Sequence, residues 1–219
     1  MYHIIIITMN TNLRILTAGL LAGLLAACGS NRTSVKGYDD ALLNGHRIFV
    51  VAPLPEQVTM NNPDQFAAAR GVAGATAREM LGNEFRTMLV PAMNQQLDSN
   101  TTFSYSEEPI GSMVAINAAS DFTNAGPTSW ENITRAAREG NIDYMVVLRA
   151  ITINNTVGGE SGRGDEEVSG QFLLLDPKNK RVMTAGEFDI EVKDPRKIET
   201  TWQMVAADLT KQMPFWVGE

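Results

Sequence analysis

Acid–base, nucleophilic and metal chemistry near neutral pH draws mostly on histidine, cysteine and paired carboxylates. This chain of 219 residues has two histidines and one cysteine. Cys28 stands in "LLAACGS", at the end of an apolar run and just before a polar one. His46 has no second histidine or thiol near it in sequence, so a zinc site lacks ligands. "GESGRG" at 159–164 approaches the nucleophile elbow of hydrolases, but Arg163 stands where the motif needs glycine and no histidine follows. It is no phosphate cradle either, because Gly-Lys-Ser/Thr is missing. The "GRGD" within it is a chance string. Asp165 to Glu167 lack the alternating oxygen ligands of a calcium loop and read as a solvated acidic loop. Asp39-Asp40 and Glu107-Glu108 read the same way. Glycoside hydrolysis by two carboxylates needs neither His nor Cys, yet no Asp or Glu pair is marked by an apolar setting. No catalytic residue, cofactor or metal is therefore expected.

The N-terminus says more. The first 27 residues contain no acid and a single Lys or Arg, Arg14. After it, "ILTAGLLAGLLAAC" runs for about thirteen apolar or small residues, short of the roughly 20 that a membrane helix needs. That is the core length and small-residue exit of a secretory signal peptide, which places residues 1–27 outside the mature chain. The leading "MYHIIIIT" is apolar where a positive segment is expected, so Met9, opening "MNTNLR", is an alternative start. Leu25-Ala26-Ala27-Cys28 resembles the lipobox of bacterial lipoproteins. The resemblance implies a diacylglycerol on the Cys28 thiol, cleavage before it, and acylation of the new amino group. Each buried CH₂ contributes about 0.8 kcal/mol, so two or more acyl chains such as palmitate anchor stably where one does not. Gly29 and Ser30 follow the cysteine where an inner-membrane lipoprotein would carry Asp, which implies an outer-membrane anchor facing the periplasm. Consumed in this way, Cys28 leaves no free thiol.

The remaining residues must fold around whatever site exists. Residues 28–45, with "GSNRTSVKGYDDALLNG" after the cysteine, are polar and proline-free and read as a tether. Residues 46–219 read as one domain. "RIFVVA" predicts a strand over 47–52, and "EQVTMNNPDQFAAARGVAGA" a loop with short helical turns. Ala77, Met80, Leu81, Phe85, Met88, Leu89, Ala92, Met93 and Leu97 recur at helical spacing, with Pro91 as a kink or restart. "TTFSYSEE" alternates as a strand. Thr128 and Glu131 match a capping box heading a helix closed by Gly140. "IDYMVVLRAITIN" is apolar on both faces, the mark of a central strand. A hairpin turning at "DPKNK" follows, its second strand placing Val182, Thr184, Phe188, Ile190 and Val192 inward. A last helix carries Ile198, Trp202, Val205, Leu209 and Met213 on one face. The fold class is α/β (α+β), a four- to five-stranded mixed sheet with helices packed against it and a C-terminal hairpin followed by a terminal helix.

The helix "ITRAAREGN" feeding Ile142-Asp143-Tyr144-Met145-Val146-Val147, then a hairpin from Leu175-Asp176 to Val182, resembles a periplasmic module. That module is shared by the penicillin-binding-protein activator lipoproteins, the curli-secretion lipoprotein and the N-terminal domain of the Tol-Pal translocation protein. It implies a domain used for protein contacts, in cell-wall synthesis or envelope assembly, rather than for chemistry. "VSGQFLL" followed by a helix also resembles the auxiliary lipoproteins of ABC-type lipid transport. The formal net charge of −7 and the lack of a basic stripe exclude a nucleic-acid partner. The expectation is a non-enzymatic, lipid-anchored envelope protein whose partners are the membrane, through Cys28, and an envelope protein. A lipid-transport auxiliary and a carboxylate-dependent cell-wall hydrolase are the alternatives.

Overall fold

The computed structural model describes residues 33–34, 42–51, 53–72, 77–97, 101–106, 130–156 and 158–213, all within the unit Asn31–Glu219. Cys28, the signal segment, Asp39-Asp40, Glu107-Glu108 and Thr128 lie outside the described residues.

The stretch apolar on both faces becomes the middle of a sheet of seven strands among the described residues. In chain order the strands are β1 (Thr33–Ser34), β2 (Arg47–Val51), β3 (Val58–Met60), β4 (Thr102–Ser106), β5 (Tyr144–Asn155), β6 (Glu166–Asp176) and β7 (Arg181–Val192). Their order across the sheet is β1-β7-β6-β5-β2-β4, with β3 pairing the far half of β5. β4, β2, β5 and β3 pair in parallel, while β5, β6 and β7 form an antiparallel meander. Met145, Val146, Val147 and Leu148 are buried in succession, as a strand covered on both faces requires.

The mixed sheet and its packed helices follow the sequence pattern, and the five longer strands are the expected ones. β1 and β3 enlarge it. β1 arises within the stretch read as a tether, Thr33 and Ser34 pairing with Ala185 and Thr184. β3 falls in the stretch read as a loop and pairs Val58, Thr59 and Met60 with Ile151, Thr152 and Ile153. Three residues alternate too briefly to signal a strand; β5 supplies the edge that holds them.

One face of the sheet carries the larger core. Over it lie α1 (Pro63–Ala68), α2 (Ala77–Glu84), a π-helical turn (Phe85–Leu89), α3 (Val90–Gln95) and α5 (Ile198–Gln212). The π turn explains how Pro91 sits in an apparently continuous helix. Proline lacks an N–H and crowds the preceding turn, and here Val90 N–H reaches back to the Phe85 carbonyl, a wider loop than the α-helical one. Pro91 therefore stands in the first turn of α3, directly after the π turn, where the sequence placed a kink or restart.

Among the described residues the other face is covered at one end, by α4 (Trp130–Gly140), whose Ile133 and Ala137 pack on Val51, Met145, Val147, Leu173 and Leu175. Gly140 is the last helical residue and Asn141 takes the left-handed conformation, φ 51°. Asn141 N–H bonds the Arg138 carbonyl and Ile142 N–H the Ala137 carbonyl, a Schellman closure. A Cβ at 140 would lie 3.0 Å from the Phe49 ring, so a side chain there would have to displace that ring slightly.

One expectation about the hairpin is corrected. The β6–β7 register slips between Leu174 and Leu175. Met183 therefore joins the larger core, and Val182 turns to the cluster under α4. A bulge inserts one residue and reverses the facing of those beyond it, which alternation alone cannot reveal.

Candidate functional site

The described residues among those singled out from sequence are engaged locally. His46 Nδ1 lies 3.2 Å from Asp143 Oδ2, with its ring edge-on to Tyr144 at 5.2 Å. Asp143 also accepts the Arg47 N–H at 2.9 Å. The pair fixes the start of β2 against the turn into β5.

Ser161, the serine of "GESGRG", donates its hydroxyl to Asp194 Oδ1, and its N–H reaches Asp194 Oδ2 at 2.8 Å. Arg163 donates to the carbonyls of Ala69, Pro195 and Arg196, so the loop is tied to the β7–α5 connection. The serine hydroxyl, and then the serine N–H, hold the exposed Asp194 carboxyl below its ordinary pKa. A carboxylate lowered on folding stabilises above its unfolded pKa and loses that effect as pH falls through the folded value. The Ser161 amide is accordingly expected to be protected from hydrogen exchange near neutrality and to lose protection in acid. Asp194→Asn keeps an acceptor and tolerates the left-handed φ of 41°, so its protection factor should no longer vary with pH.

Asp165, Glu166 and Glu167 do not form a solvated acidic loop. Asp165 Oδ1 accepts the Asp194 N–H at 3.0 Å. Glu167 stays exposed beside Asn154 at 3.3 Å. Glu166, the first residue of β6, is 3% exposed and points into the larger core. There it meets a second carboxylate, Glu84 at the end of α2, 2% exposed. Between them lies Arg70, from the turn after α1, its side chain 1% exposed.

Arg70 Nη2 is 2.7 Å from Glu166 Oε1 and 3.0 Å from Glu84 Oε2, and its Nε donates to Glu84 Oε1. Its Nη1 donates to the Phe66 carbonyl at 3.2 Å, and the guanidinium carbon lies 3.5 Å above the Phe66 ring. The remaining carboxylate valences are met by Trp202 Nε1 on Glu84 at 2.7 Å and by Thr201 Oγ1 on Glu166 at 2.6 Å. Asn155 Nδ2 adds a long contact to Glu166, 3.4 Å. Burial alone would lower the pKa of Arg70; the hydrogen bonds and charges of the two glutamates outweigh it and raise the value. The guanidinium is thus cationic at any working pH.

This is the one carboxylate pair in an apolar setting among the described residues, and sequence reasoning missed it. The signal was present in the two registers. Glu84 falls in the stripe Ala77, Leu81, Glu84, Met88, and Glu166 alternates in phase with Val168, Phe172 and Leu174. A carboxylate at an expected core position, occurring twice, points to a buried cation. The arrangement does not suit hydrolysis, because both carboxylates are enclosed and already accept hydrogen bonds. Its chemistry is that of an internal tie joining α1, α2, β5, β6 and α5.

Among the described residues no group of three or more His, Cys, Asp or Glu could hold a metal ion. No helix among them is long and apolar enough to cross a membrane. An apolar cleft of about 150 Å³ lies between Pro53, Pro55, Val58, Leu81, Phe85 and Tyr105. A second, more polar cleft of about 320 Å³ lies over the β3–β5 pairing.

No family model and no curated protein matches the sequence. Solved structures to which the chain is similar include the following. The PelC dodecamer from Paraburkholderia phytofirmans is 12% identical, covering 84% of this chain and 98% of its own, at a TM-score of 0.42. Lipoprotein GNA1162 from Neisseria meningitidis is 14% identical, covering 76% and 96%, at 0.36. The LpoB C-terminal domain from Salmonella enterica is 12% identical, covering 78% and 93%, at 0.29. Similarity at that level defines neither family nor activity for this chain.

Proposed function

We propose that the protein is an outer-membrane lipoprotein, anchored through acyl chains on Cys28, whose periplasmic domain binds an envelope protein and carries out no reaction. The observation that carries the reading is Leu25-Ala26-Ala27-Cys28 at the end of a signal-length apolar run. The binding role is supported by what the reactive side chains do. His46 is spent on Asp143, Ser161 on Asp194, and Glu84 and Glu166 on Arg70. A carboxylate-dependent hydrolase needs its acids beside an accessible bond, and these two are enclosed. A lipid-carrying role finds no support in the apolar cleft, whose 150 Å³ is below the roughly 300 Å³ where small-ligand sites begin.

The anchor is tested by labelling cells with palmitate and fractionating their envelopes. The wild-type chain should take up label and sediment with the outer membrane. Cys28→Ala should lose the label entirely and leave the membrane fraction. A variant that remains labelled and membrane-bound would overturn the reading. Crosslinking in intact envelopes should then recover a protein partner with wild type.

A further inference from the structure

Among the described residues α4 covers one end of its sheet face, and towards the other end one buried donor, Arg149 Nε, has no hydrogen-bond partner. β5 breaks its register with β6 between Arg149 and Thr152, and Ala150 there takes a φ of 48°. A non-glycine residue held in that region persists only where its surroundings fix it. The break opens onto the cleft of about 320 Å³ lined by Glu56, Gln57, Thr59, Arg149, Ala150 and Thr152. Arg149 Nε is buried there without a hydrogen-bond partner. Buried polar groups are almost always satisfied, and one that is not invites an acceptor from outside the chain.

We propose that this cleft binds a carboxylate, held by the Arg149 guanidinium with the hydroxyls of Thr59 and Thr152 beside it. A guanidinium offers parallel N–H groups matched to the two oxygens of a carboxylate. The β3–β5 register sets Thr59 directly opposite Thr152, so both lie on the face that carries the cleft. The Gln57 side-chain oxygen already accepts the Leu54 N–H at 3.1 Å and does not compete for Arg149. Glu56, exposed at the rim, and the net charge of −7 both oppose a polyanion. They therefore favour a monoanionic carboxylate over phosphate. The volume falls within the range of small-ligand sites. The inference rests on the cleft alone and holds whether or not Cys28 is lipidated.

The test uses the full chain in detergent micelles, labelled with ¹⁵N-arginine. The Arg149 Nε–H signal is assigned by its disappearance in Arg149→Lys. Titration with N-acetyl-alanyl-alanine should move that signal saturably, while the same dipeptide as its C-terminal amide should leave it in place. Acetate run in parallel separates the sources: equal affinity points to free small acids, and tighter dipeptide binding points to peptide C-termini. Arg149→Lys keeps the charge but loses the fork, and calorimetry should show affinity falling roughly tenfold or more. Thr152→Val, which suits a strand and preserves folding, should weaken binding severalfold. Three results would each overturn the proposal: no shift with any carboxylate, an equal shift with the amide, or inorganic phosphate binding as tightly as acetate.

Discussion

Arg70→Ala is expected to lower the stability of the domain by about 3–5 kcal/mol, because it leaves two enclosed carboxylates without their cation. Domains of this kind are stable by only about 5–15 kcal/mol, so the variant should sit close to unfolding at ambient temperature. Urea denaturation followed by far-ultraviolet circular dichroism measures it, as a fall in midpoint with little change in slope. In the wild-type chain the stabilisation by Arg70 should not vary with pH around neutrality. The raised pKa of Arg70 means its contribution is complete below the unfolded value and is lost only when pH rises through the folded one, far into alkali. Replacing all three charges together, as Arg70→Met with Glu84→Gln and Glu166→Gln, should cost much less than the single change. Removing a whole buried ion cluster is often near neutral, whereas removing one partner is not. If Arg70→Ala instead leaves the midpoint unchanged, the cluster is no tie.

Trp202→Ala should be comparably severe, about 3–5 kcal/mol, the usual cost of deleting a large aromatic from a core. Trp202 is 1% exposed and meets the Phe85 ring edge-on at 5.2 Å. It also donates to Glu84 at 2.7 Å. Trp202→Phe separates the two contributions. The ring contact survives, and the missing N–H leaves one Glu84 valence unmet, costing about 1–3 kcal/mol. Because Trp202 and Arg70 share Glu84, the double variant Arg70→Ala/Trp202→Phe should destabilise by other than the sum of the singles. Strict additivity in the same urea assay would show that the two do not act through a common group.

Much of this architecture was legible in the sequence because long periodic stretches carry redundant signals. β5 has four consecutive buried side chains, and α5 repeats its apolar face over four turns, so no single residue had to be right. What escaped was decided by partners distant in the chain. β3 exists because β5 offers an edge. Val182 changes face because of a slip opposite Leu174 and Leu175. The ion cluster was half-visible as two glutamates in core phase, but Arg70 follows a short helix with no periodicity to mark it. The carboxylate cleft could not have been read from composition or motif, since it depends on a register break that brings Thr59, Arg149 and Thr152 to one spot.

The internal tie also bears on the order in which the chain can lock. Glu84 must wait for Trp202, 118 positions later, and Arg70 for Glu166, 96 positions later. Until the C-terminal helix has emerged, an N-terminal portion of this chain therefore holds its arginine and glutamate unpaired to their distant partners, in water, with no closed core. Long-range closures of this kind form late. For a polypeptide proposed to cross a membrane before folding, that delay is useful: the length already synthesised remains threadable, and the domain sets only when its last helix has passed through.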